Sequence, residues 1–85
     1  MRDDKKPKKT TYDDVYPLSD GLVVKIGGTL HTLNETAVEI LELCDNNHTV
    51  SDIVDEMNGR YQGLDVTEFV NNFIDQLLEK KIIAI

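Results

Sequence analysis

The chain has 85 residues and a mass of 9.6 kDa, which allows one domain with one thin core, burying about 60% of the surface its unfolded chain exposes. It is 40% hydrophobic and 29% charged, the balance of a globular domain, and no apolar run approaches the roughly 20 residues of a membrane span. The net charge of −7 divides into +3 over residues 1–9 and −10 over the rest, and an acidic body repels nucleic-acid phosphates.

Residues 1–11, rich in Lys and broken by Pro7, predict a flexible basic arm. No apolar stretch follows MRDDKKPKK, so no secretory signal is expected. Val15–Leu18 predicts a first strand with Pro17 at an edge, and Ser19-Asp20-Gly21 a turn. Leu22–Ile26 is β-branched and predicts a second strand. Gly27-Gly28 predicts a hairpin turn, because glycine accepts positive φ without cost. Thr29–Leu33 alternates, placing Leu30 on one face and His31 with Leu33 on the other.

The period then changes. Asn34 is an N-cap, and Ala37, Ile40, Leu41 and Cys44 fall on one helical face. Asp45-Asn46-Asn47 closes that helix. Thr49 with Asp52 forms a capping box for a second stripe of Val50, Ile53, Val54, Met57 and Tyr61. Asp65 with Glu68 predicts a third cap, before a wider stripe of Val66, Phe69, Val70, Phe73, Ile74, Leu77 and Leu78. Ile82–Ile85 predicts a short strand or a segment docked on the core. The order, a three-stranded antiparallel sheet followed by three helices, defines an α+β domain over residues 12–85.

No catalytic constellation, metal site or cofactor motif is present in this reading. His31 and His48 lack metal-ligand spacing, and Gly27-Gly28 lacks the Lys and Ser/Thr of a phosphate loop. Cys44 lies on a buried stripe, where cysteine acts as a small hydrophobe. A single cysteine excludes an internal disulfide and suits a reducing cytoplasm. The chain is therefore expected to bind rather than catalyse. An acidic carrier bearing a phosphopantetheine arm would need an Asp-Ser-Leu context, which neither Ser19 nor Ser51 has. A winged helix-turn-helix domain of the transcription-factor kind, binding DNA or another protein, is the alternative. Its recognition helix would carry Asp65, Glu68, Asp75 and Glu79, the wrong sign for phosphates. Strand addition fits better: a three-stranded sheet has a free edge, and a helix with surplus apolar width can lie beside it.

The run Leu33–Asp45, followed by Thr49–Val54, Asp65-Val66, Phe69 and Leu77–Ile83, resembles the PqqD-like proteins, also called recognition elements for ribosomally made, post-translationally modified peptides. The resemblance covers about residues 15–85. It implies a winged helix-turn-helix-like fold that binds the leader of a precursor peptide. The leader would add to the third strand and pack on the third helix. The domain would then present the peptide to a modifying enzyme such as a radical SAM enzyme or a leader peptidase, with neither nucleic acid nor membrane as partner. On this chain the implied peptide-binding positions are Gly28, Thr29, Leu30, His31, Thr32 and Leu33, with Val66, Phe69, Val70, Phe73, Ile74 and Leu77. Two positions depart from the family pattern: Asn46 and Lys81 stand where glycine is common. Lysine resists the left-handed turn, so the last helix is expected to end differently.

Overall fold

The computed structural model describes residues 2–85. A short 3-10 turn, Arg2–Asp4, leads into β1 (Lys8–Lys9). A meander follows, β2 (Asp14–Leu18), β3 (Gly21–Ile26) and β4 (Thr29–Asn34), in the order β2-β3-β4. Then come α1 (Glu35–Leu43), α2 (Val50–Arg60), α3 (Thr67–Glu79) and β5 (Ile83–Ala84). This is the α+β arrangement expected, with α1 packed on β3 and β4 and with α2 and α3 packed on α1 and on each other.

The local signals act where they stand. Gly27 and Gly28 have φ of 56° and 82°, the pair of positive values that a two-residue hairpin turn needs. Asn34 caps α1, its side chain accepting from the Ala37 N–H at 2.9 Å. Thr49 and Asp52 form the reciprocal capping box of α2. Asn46 takes the left-handed conformation, φ 65°, after α1. The core joins Val24 and Leu33 of the sheet to Ile40, Ile53, Met57, Val70, Ile74 and Leu77 of the helices, and Ile82 and Ile83 close it.

Three elements differ from the expectation. The first is the basic arm, which is docked over its described part; Met1 lies outside the described residues. Pro7 is buried, and the arm's carbonyls accept from the Asn46 and Val50 N–H groups at 3.0 and 2.9 Å. β1 pairs antiparallel with β5. Thr10 and Tyr12 hydroxyls both donate to the Ile82 carbonyl, at 3.1 and 2.8 Å. Arg2 pairs with Asp75 and donates to the Asn71 carbonyl at 2.9 Å. Backbone groups, a few polar side chains and one proline anchor this segment, so no apolar pattern announces it.

The second difference is the start of α3. Val66 is the N-cap, without a side-chain cap bond, so Asp65 and Glu68 form no capping pair. Asp65 accepts instead from the Thr67 N–H at 3.1 Å, and Asn58 of α2 accepts from the Val66 N–H at 2.8 Å. A neighbouring helix supplies what the local sequence does not.

The third is Lys81, which adopts the left-handed conformation after all, φ 61°. The Ile82 N–H donates to the Leu77 carbonyl at 2.9 Å and the Lys81 N–H to the Leu78 carbonyl at 3.0 Å, the paired bonds of a Schellman ending. Burial of Ile82 and Ile83 over-determines the turn and offsets the strain of a Cβ there. The strain costs about 1–2 kcal/mol, and glycine's looser unfolded state takes back about 0.5–1. Lys81→Gly is therefore expected to stabilise the fold by about 0.5–1 kcal/mol, read as a raised urea midpoint with unchanged slope. An unchanged or lowered midpoint would contradict the assignment.

The α1–α2 connection carries a pH dependence. His48 Nδ1 lies 2.9 Å from Asp45, whose carboxylate also accepts from the Asn47 and His48 N–H groups at 2.9 and 3.2 Å. The His48 bond first, then the backbone donors, hold the Asp45 carboxyl down at about 2. Unfolded, it titrates near ~3.9. A carboxylate depressed in the fold stabilises it above its unfolded value, and that share is lost as pH falls from about 4 to about 2. Thr49 donors depress Asp52 in the same direction. Urea midpoints are expected to fall across this window, and to fall less in Asp45→Asn. Equal losses in both proteins would contradict the Asp45 assignment.

Candidate peptide-binding groove

The sheet has two outer strands, and they are not equivalent. The hairpin register pairs Ile26 with Thr29 across the two-residue turn, which makes them a hydrogen-bonded pair. By alternation Thr29, His31 and Leu33 bond to β3, while the N–H and C=O groups of Leu30 and Thr32 point outward. On β2 the same counting starts from Leu18 and Gly21, so Pro17 faces the outside with the donor it lacks. β2 is thereby blunted, and β4 keeps an open backbone edge.

Beside that edge runs a groove of about 210 Å³. Thr32, Leu33 and Asn34 of β4 form one wall, and Phe73, Gln76 and Leu77 of α3, with Lys80 just past its end, form the other. Ala37 of α1 also lines it. Leu33 and Leu77 are buried and supply an apolar base, Phe73 is partly buried, and Lys80 places a cation at one end.

The sequence-predicted residues divide. Thr32, Leu33, Phe73 and Leu77 meet in the groove. Thr29 and Leu30 are exposed on the same strand, Leu30 at 60%, and His31 is half-buried on the helix side. Gly28 is in the turn that sets the register. Val70 and Ile74 are buried in the core and do not line the groove. Val66, Phe69 and Val70 line a separate cavity at the other end of α3. Gln76 and Lys80 are the residues that a search for apolar stripes passes over. They lie three and seven positions after Phe73, on the same helical row, and that spacing is the signal that finds them.

The remaining reactive groups stand apart from the groove. Cys44 is buried, its Sγ–H donating to the Ile40 carbonyl at 3.3 Å, and burial pushes its thiol up to about 12. Such a group is no nucleophile at neutral pH. Burial also raises the Tyr12 phenol to about 12. Among the described residues, no cluster of His, Cys, Asp or Glu is placed to hold a metal ion. No helix among them is long and apolar enough to cross a membrane.

Comparisons with known proteins agree with this architecture. A structure of the heterocyclase TruD contains a similar fold, with a TM-score of 0.68 at 16% identity over 94% of this chain and 11% of that one. A curated protein of Methylococcus capsulatus, "PqqA binding protein", is 39% identical over 46 residues. That match takes in 54% of this chain and spans half the length of the relative. The family model described as coenzyme PQQ synthesis protein D matches residues 12–83. The meander and the three helices all fall within that match, and the chain belongs to the PqqD family.

Proposed function

We propose that this protein binds the leader of a ribosomally made precursor peptide. The leader adds as a strand to β4, sets alternate side chains between β4 and α3, and is presented to a modifying enzyme, of the radical SAM or leader-peptidase kind. The open backbone edge of β4 beside an apolar-based groove carries the reading. Main-chain bonds give such a site affinity, and the groove gives it side-chain selectivity. Family membership and the name of the relative, a PqqA binding protein, support a peptide as ligand. DNA binding is disfavoured by α3 itself, where Glu68, Asp75 and Glu79 stand without a basic residue.

The test is an amide NMR titration with a synthetic leader from a small precursor reading frame neighbouring the gene. Shifts are expected along residues 29–34 and on the Phe73–Lys80 side of α3. A folded protein that shows no shifts, alone and with the partner enzyme present, overturns the reading.

A further inference from the structure

We infer that the cavity at the N-terminal end of α3 is a second subsite for the same peptide, receiving a bulky apolar side chain from beyond the strand-forming segment. The inference rests on the leader reading of the β4–α3 groove and deepens it. The cavity measures about 400 Å³, against about 210 Å³ for the groove. Met57 and Val70, both buried, form its floor. Leu64 and Phe69 stand at its rim, 66% and 50% exposed. Among the described residues, Leu64 is the most exposed large apolar side chain.

The chemistry favours an apolar occupant. The polar groups at the cavity edge are already engaged: the Tyr61 hydroxyl donates to Glu39 at 2.8 Å and is bonded to Thr36, while Asp65 accepts from Thr67. The rest of the lining is apolar apart from Thr36, and the Asp65 carboxylate repels an anionic ligand.

Continuity with the groove names the occupant. Phe73 lines the groove and Phe69 the cavity, and their rings meet edge to face with centroids 4.9 Å apart. On the facing side, Asn34 lines the groove and Thr36 the cavity. A chain paired with β4 that runs on past Asn34 therefore crosses this aromatic pair and reaches the cavity. The two compartments are about eight helical residues apart along α3, roughly 12 Å, the reach of roughly four extended residues.

The test uses a phage-displayed library of random peptides long enough to cross both compartments, selected on the intact protein and on Leu64→Asp. Leu64 is in a loop and mostly exposed, so the variant is expected to fold. Peptides enriched on the wild type should carry two apolar positions roughly four residues apart. Selection on Leu64→Asp should retain one position and lose the other. A peptide from the first selection should bind the variant at least about tenfold more weakly and should shift the Met57 methyl signal only in the wild type. Enriched peptides with a single apolar position, shifts at Leu30 and Thr32 and an unmoved Met57 methyl would overturn the second subsite and leave strand addition standing. A library with no enrichment on the wild type would overturn both.

Discussion

Thr32→Pro is expected to leave the protein folded and to weaken leader binding by at least about tenfold. Thr32 faces Val23 at a position whose N–H is turned away from β3, so proline removes no bond of the existing ladder. Edge strands tolerate proline there, and the preceding His31 is already extended. What is lost is the donor to the added strand, and the ring stands where the incoming carbonyl would approach. An acceptor left unpaired costs about 1–3 kcal/mol, about 5- to 150-fold in affinity, and the obstructing ring adds to that loss. Thr32→Ala keeps the backbone donor and should bind within a few-fold of wild type. Isothermal titration of both variants, with circular dichroism to report the fold, decides the matter. Unchanged affinity in a folded Thr32→Pro protein would contradict pairing at this position.

Gly21→Ala has the largest expected effect on stability. Gly21 pairs with Asn34 at the end of the β3–β4 ladder, and a Cβ there would run into the Leu33 carbonyl oxygen. That atom is backbone and cannot swing aside as a flexible side chain would. Relief requires Leu33 and Asn34 to move, which displaces a buried core residue, the N-cap of α1 and one wall of the groove together. Overpacking of this kind costs about 1–3 kcal/mol or more, a large share of the stability of a small domain. A fall in melting temperature of about 4–8 °C per kcal/mol is expected, with weaker leader binding. Gly59→Ala, where a Cβ meets nothing within 4 Å, serves as the control and should not destabilise. Equal behaviour of the two variants would contradict the close approach at Gly21.

The parts of the fold that could be read from the sequence share one property: their physics is local. The glycine pair, Asn34, the Thr49–Asp52 box and the apolar spacing of the helices act within a few residues, and the structure repeats them. The parts that could not be read depend on distant groups. The basic arm is held by carbonyls and by Ile82, 72 positions from Thr10. The start of α3 is held by Asn58 across a loop. Lys81 keeps a left-handed turn because Ile82 and Ile83 are locked in the core. The groove was half legible. Its apolar members lie on the predicted stripe, whereas Gln76 and Lys80 enter only through their place on the helix surface. Nor does the stripe itself reveal that Phe69 and Phe73 border different compartments.

The central claim is that β4 offers its outer edge to an incoming strand, and amide hydrogen exchange at Leu30 and Thr32 tests it most directly. In the free protein these amides face no partner strand and should exchange quickly, while His31 and Leu33, bonded to β3, are protected. With saturating leader, Leu30 and Thr32 should slow by at least about tenfold, because exchange then requires the added strand to open. Protection that grows on α3 while Leu30 and Thr32 exchange as before would show a peptide bound by the helix alone and would contradict strand addition.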